Sequence, residues 1–157
     1  MFSVLKVNSS ELTEKVKKLF IEYSDSLDFD LSFQNFNEEL KNFPEEYKEP
    51  GGSLFIALKK DEEIGCAALR PIEKNICEMK RLYVKPGLRK IKAGKALALS
   101  VIKDAKLKGY KKMRLDTVSS MESANSSYKS LGFREIEPYT YNPLEKALYM
   151  ELDVFFL

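Results

Sequence analysis

Residues Ile76 to Lys95 read ICEMKRLYVKPGLRKIKAGK, a strand running into a loop that opens a helix. Cys77 and Met79 fall on odd positions, whereas Leu82 and Val84 fall on even ones. A period-two pattern therefore slips by one residue near Lys80 and Arg81. A β-bulge does this, because one inserted residue sends every later side chain to the opposite face. Beyond the slip come Lys85, Arg89, Lys90, Lys92 and Lys95, around a predicted helix start whose free N–H groups and dipole favour an anion. The stretch reads as a bulged strand with a phosphate-bearing ligand against it.

LYVKPGLR followed by Gly94, then GYKKMRLDT, then SSYKSLGFREI, resembles the central and C-terminal motifs of the GNAT superfamily of N-acetyltransferases, which use acetyl-coenzyme A. The resemblance spans most of the chain and is strongest from Glu78 to Glu151. It implies an α/β fold of the acyl-CoA N-acyltransferase kind: a mostly antiparallel central sheet with one parallel, splayed pair, flanked by helices. The pantetheine arm would enter between the splayed strands, with Leu82, Tyr83 and Val84 as its strand contacts. Arg89, Lys90, Lys92, Ala93, Gly94 and Lys95 would hold the pyrophosphate.

One position departs from the family pattern, which is Arg or Gln, two residues, Gly, one residue, then Gly or Ala. Arg89 leads and Gly94 is retained, but Lys92 stands at the first Gly. Ending the pattern instead on Gly94-Lys95-Ala96 would put Ile91 at the Arg or Gln position and spoil the spacings from Pro86 to Arg89 and from Gly94 to Gly109. Lys92 then either offers its ammonium to a phosphate or blocks the close backbone approach that glycine permits.

Composition sets the frame. A chain of 157 residues with 44% apolar and 32% charged residues is expected to be one soluble domain, residues 1–157, with a proper core. No run is long enough to span a bilayer and no signal segment opens the chain, so a cytoplasmic location with no membrane partner is expected. The net charge of +2 offers no global field for nucleic acid. With no histidine, His-based triads and His-containing zinc sites are excluded, and no metal is expected. Cys66 and Cys77 lie in apolar runs and read as packing residues.

Taken in order, Phe2 to Val7 reads as a strand, and Ser9 or Ser10 caps a helix carrying Leu12, Val16, Leu19, Phe20, Tyr23 and Leu27. A second helix from Ser32 carries Phe33, Phe36, Leu40 and Phe43 and packs as a lid that helps wall the acceptor site in the resembled family. Leu54 to Leu58 and Ile64 to Leu69 form a hairpin ended by Pro71. After the bulged strand, a helix through Leu97 to Ala105 stops at Gly109. A short strand around Met113 and Leu115 follows, then a helix with Ala124, Tyr128 and Leu131. Phe133 to Ile136 and Ala147 to Phe155 are the last strands. The helix between the bulged and Met113 strands predicts a parallel crossover.

Acetyl transfer to an amine needs a base for the ammonium, a donor for the developing oxyanion and a proton source for the leaving thiolate. Glu78 stands where the family often places such a base; otherwise it is a solvated strand residue or a partner of Lys80 or Arg81. Backbone N–H groups near Leu82 or Tyr83 could serve the oxyanion. Tyr128 matches a family tyrosine often near the coenzyme sulfur, and could equally pack beside Leu131 and Phe133. Tyr139, Tyr141, Tyr149 and Phe33 are weaker candidates for the acceptor wall. An exposed Val154-Phe155-Phe156-Leu157 run would point to a homodimer. The resemblance thus implies an N-acetyltransferase transferring the acetyl group of acetyl-CoA directly to a small-molecule or peptide amine. The competing readings are a non-catalytic acyl-CoA-binding or regulatory domain with a degenerate pyrophosphate loop and, ranked lower, a nucleic-acid module.

Overall fold

A computed structural model describes residues 1–88 and 92–155. Arg89 and Lys90, assigned to the pyrophosphate set, and Phe156 and Leu157 of the terminal run lie outside the described residues. Strands β1 (Ser3–Lys6), β2 (Ser53–Lys59), β3 (Glu62–Glu73), β4 (Ile76–Val84), β5 (Lys112–Val118), β6 (Arg134–Glu135) and β7 (Ala147–Asp153) form one sheet in the order β1-β2-β3-β4-β5-β7-β6. Every adjacent pair is antiparallel except β4 and β5, which run parallel. Helices α1 (Ser10–Ser26) and α2 (Phe36–Lys41) precede β2; α3 (Ala93–Leu107) joins β4 to β5, and α4 (Glu122–Ser130) follows β5.

Two apolar layers sandwich the sheet. On one face α1 buries Val16, Leu19 and Phe20 against Ile56, Cys66, Ala68 and Tyr83. Ser9 starts that helix, its Oγ accepting from the Leu12 N–H at 3.2 Å. On the other face α3 buries Leu97, Ala98 and Val101 against Phe55, Ala67, Met79 and Met113.

The bulge lies where the parity slip predicts it. Tyr83 pairs with Cys66 and Lys80 with Ala68, so Arg81 and Leu82 together oppose Ala67. Cys77 and Met79 before the bulge, and Val84 after it, all reach the α3 side, whereas Tyr83 reaches the α1 side. Gly65 accommodates the displaced strand, since a Cβ there would come within 2.7 Å of the Tyr83 carbonyl oxygen.

Arg81 takes the extra residue's conformation with φ +57°, which disfavours an L side chain by roughly 1–2 kcal/mol. Its guanidinium offsets this by donating to Glu39 at 2.8 and 3.3 Å and to Gln34 at 2.5 Å, and by lying 5.0 Å over the Phe36 ring.

Two expectations need correction. Strand β3 does not end at Pro71 but continues to Glu73. Pairing with β2 stops at Leu69, so the missing Pro71 N–H breaks no ladder on that side. The single helix from Ser32 is two pieces, a 3-10 turn at Leu31–Gln34 and α2, separated by Asn35 at φ +56°. Asparagine tolerates that left-handed conformation, and the break turns Gln34 and Glu39 together toward Arg81.

Removing Glu39 would leave a buried, uncompensated guanidinium. Glu39→Ala is expected to lose about 3–5 kcal/mol in urea unfolding; a loss below about 1 kcal/mol would mean that the pair does not hold the bulge.

Candidate active site

Parallel pairing of β4 with β5 covers only Ile76–Lys112, Cys77–Met113 and Glu78–Arg114. Both strands continue beyond that point unpaired to each other and open a cleft. A cavity of about 80 Å³ occupies it, its lining including Lys80 and Leu82 from β4, Leu115 to Val118 from β5, and Tyr128 from α4. On the α1 side lies a larger, polar cavity of about 420 Å³, bounded by the Phe33 to Glu46 segment, Arg70, Glu78, Lys80, Asp116, Thr140 and Tyr141. Phe33, Gln34, Lys80 and Asp116 line both, and so mark where they join.

Beyond the end of β4, where Gly94 lies near Val84, α3 begins with no side-chain cap from Lys92. The Ala96 N–H makes the helical bond to the Lys92 carbonyl, so by helix geometry the N–H groups of Ala93, Gly94 and Lys95 point out of the helix end. Lys92 has φ +66° with its side chain exposed, and thus adopts a backbone that glycine takes freely. A Cβ at Gly94 would meet Val84 at an ordinary 3.6 Å, so the bare backbone there leaves an open approach. Ala93 is fully buried in the core, while Lys95 is exposed.

Glu78 is buried at 1% exposure. Its Oε1 accepts from Arg70 Nε at 2.8 Å, and its Oε2 from the Tyr139 hydroxyl at 2.6 Å. Burial alone would raise its pKa, but the charges of Lys80 and Arg70 and the hydrogen bonds from Tyr139 and Arg70 together hold it below the usual carboxylate range. It is an ionised, fixed carboxylate in the cavity wall, not a solvated strand residue.

Tyr128 packs edge-on to Phe133 at 5.8 Å and lines the cleft, so its packing and cleft-facing roles coexist. Burial pushes its phenol well above the ordinary value, and it stays protonated at neutral pH.

Of the strand contacts expected for the coenzyme, Leu82 lines the cleft. Tyr83 turns its ring to the α1 side, where its hydroxyl donates to Glu22 at 2.8 Å, and Val84 packs in the α3-side core. Those two can meet a cleft ligand only through backbone. Phe33 and Tyr141 do line the larger cavity. Tyr139 instead buttresses Glu78, and Tyr149 supports Tyr139 edge-on at 5.5 Å while donating to the Thr140 carbonyl.

Sequence reasoning missed Asp116, whose Oδ2 accepts from Gln34 and Asn142 at 3.4 and 3.2 Å at the junction. An aspartate in the middle of a short strand is disfavoured, and that was the available signal. Gln34 and Arg70 were missed as well, because neither carries a spacing signature.

The geometry has counterparts among known proteins. The acetyltransferase (GNAT) family model matches residues 14–133. The chain belongs to the GNAT acetyltransferase family. It is 37% identical over 156 residues to an uncharacterised N-acetyltransferase of Schizosaccharomyces pombe, spanning 97% of this chain and 94% of that one. A second relative, an uncharacterised N-acetyltransferase of Dictyostelium discoideum, is 34% identical over 87% of this chain and 92% of its own. In fold, this GNAT enzyme superposes on a GNAT acetyltransferase of Staphylococcus aureus with a TM-score of 0.80 at 21% identity, covering 98% and 99% of the two chains. A Bacillus subtilis acetyltransferase solved with CoA gives 0.68 at 21% identity, covering 98% and 99%. As a GNAT the chain is an acyltransferase enzyme.

The Glu78 carboxylate makes a pH prediction. Its folded-state value lies below the ordinary 4.5, so its stabilisation is complete above that value and is lost as pH falls through the lower folded one. Thermal melts of wild type should fall more steeply with acidification than those of Glu78→Gln; parallel curves would mean that the carboxylate gains nothing from its buried partners.

Proposed function

We propose that this chain transfers the acetyl group of acetyl-CoA directly to a primary amine of a small molecule or peptide, in the cytoplasm. One observation carries the reading: the cleft opened between β4 and β5 meets the polar cavity at Lys80 and Asp116, and β4 leads on to the start of α3, where Lys92 supplies no side-chain cap. A thioester held along the cleft would present its carbonyl at that junction, with the pyrophosphate at the N–H groups of Ala93, Gly94 and Lys95.

Direct transfer is favoured because neither cysteine is activated for an acyl-enzyme. Both cysteines are fully buried, and burial pushes the Cys66 thiol up strongly and the Cys77 thiol up to about 12. In the proposed sequence the acceptor ammonium, with an ordinary pKa of ~10.4, is received by Asp116 at the junction and loses a proton to solvent through a water polarised by Glu78. The amine nitrogen then bonds to the thioester carbon, the carbon–sulfur bond breaks, and the nitrogen sheds its second proton to water, which returns one to the departing thiolate. Tyr128 donates a hydrogen bond to the departing sulfur. Its raised phenol keeps its own proton, so the thiolate, ordinarily near ~8.5, is protonated from water. Lys92 in a glycine-like backbone conformation supports a working phosphate loop over a non-catalytic domain.

Calorimetry with acetyl-CoA and release of free thiol in the presence of amines test the reading. Saturable binding with thiol release is expected, and no binding at millimolar ligand would overturn it. Glu78→Gln should lower kcat by about 10²-fold or more with acetyl-CoA affinity retained; undiminished kcat would move the base role to Asp116. Lys92→Gly should raise thermal stability by up to about 1 kcal/mol through relief of the left-handed backbone. It should also weaken acetyl-CoA binding by up to about fivefold through loss of an exposed ammonium. Unchanged affinity would remove Lys92 from the phosphate contacts.

A further inference from the structure

Six carboxylates line the larger cavity: Glu38, Glu39, Glu45, Glu46, Glu78 and Asp116. That acidity is mostly spent on the protein's own cations. Glu39 binds Arg81, Glu46 and Glu78 share Arg70, and Glu45 binds Lys48. Lys80 is the converse case. It is 9% exposed, lines both the cleft and the cavity, and makes no ion pair within 4.0 Å among the described residues. Its single hydrogen bond runs from Nζ to Gln34 Oε1 at 3.1 Å, and that oxygen also accepts from Arg81.

An ammonium has three donors, so two of those on Lys80 remain for whatever enters the cavity. A buried charge without a close partner destabilises a fold by several kcal/mol. Glu78 and Asp116 attract it from farther away and Arg81 and Arg70 repel it, and burial prevails, lowering its pKa. The group suited to Lys80 is an anion that arrives with the substrate.

The position of Lys80 says which part of the substrate that is. The reacting amine must reach the junction, and Lys80 and Asp116 both stand there. A carboxylate on Lys80 and an ammonium at Asp116 therefore belong to one compact molecule. Resting on the transferase reading above, we propose that Lys80 binds the acceptor's carboxylate, and that the acceptor is a free amino acid. Arg70, in the same wall, donates to Glu46 and Glu78 through Nη1 and Nε, and adds positive charge to that side of the cavity.

The test compares the twenty free L-amino acids with their α-amides and with peptide N-termini as acceptors, following thiol release in wild type, Lys80→Met and Lys80→Arg. In wild type, kcat/KM for the preferred amino acid should exceed that for its amide by about ten- to a hundredfold, the size of a charge-assisted hydrogen bond. Lys80→Met should collapse that ratio and Lys80→Arg should keep most of it. Equal use of amides or peptide N-termini by wild type overturns the proposal. So does a Lys80→Met enzyme in which amino acid and amide lose rate equally, because Lys80 then acts on the thioester oxygen or on the fold.

Absence of thiol release with every amine would refute the transferase reading instead. Calorimetric titration of the CoA-loaded protein with N-acetyl amino acids then decides the role of Lys80. Binding that Lys80→Met abolishes upholds the carboxylate contact; binding indifferent to that change, or absent from wild type, overturns it.

Discussion

The bulge at Arg81 is the constraint on which the rest of this structure depends. Glu78 and Lys80, ahead of the inserted residue in β4, look into the polar cavity, and the insertion sends the later Leu82 and Val84 back to the α3-side core. Beyond the last paired residues, Glu78 and Arg114, the two parallel strands separate. The backbone strain is held by contacts from outside the sheet: Glu39, Gln34 and Phe36 all come from the segment that walls the polar cavity. Bulge and wall are therefore one mechanical unit, and a change in the lid is felt in the strand that lines the cleft.

Charge is distributed around that unit with little left over. Arg70 bridges Glu46 of the lid to Glu78 of the strand, and Tyr139 closes the second oxygen of Glu78. Such a carboxylate is fixed in direction and remains ionised, which suits it to polarise a water more than to collect a proton outright. Asp116, held only by two amides, is more open to an incoming ammonium. The buried cysteines and the absence of histidine support the proposed direct attack of an amine on the thioester.

Family membership and fold agree with this physical picture, and they also mark where it stops being general. Superposition on solved GNAT structures at about one-fifth identity shows a shared fold, and leaves the wall of the polar cavity to each chain. Here that wall is built by a 3-10 turn, a bend at Asn35 and a six-residue helix. Lys80 stands in that wall with no ion pair within 4.0 Å among the described residues, even though most of the titratable residues around it are acids.

By itself the sequence determined the order of elements, the two core faces and the bulge, because these follow from local periodicity: Cys77 and Met79 odd, Leu82 and Val84 even. It also determined Glu78 as a candidate and the anion-favouring helix start at Lys92 to Lys95. Only the tertiary structure decided that Glu78 is clamped by Arg70 and Tyr139, 8 and 61 residues away in the chain. Only it showed that Asp116 faces Lys80 across the junction, that Tyr83 turns away from the cleft, and that Asn35 breaks the lid helix. Periodicity records which face a side chain takes. Which charge meets which other charge depends on pairings distant in the chain, and those exist only once the sheet has brought its strands together.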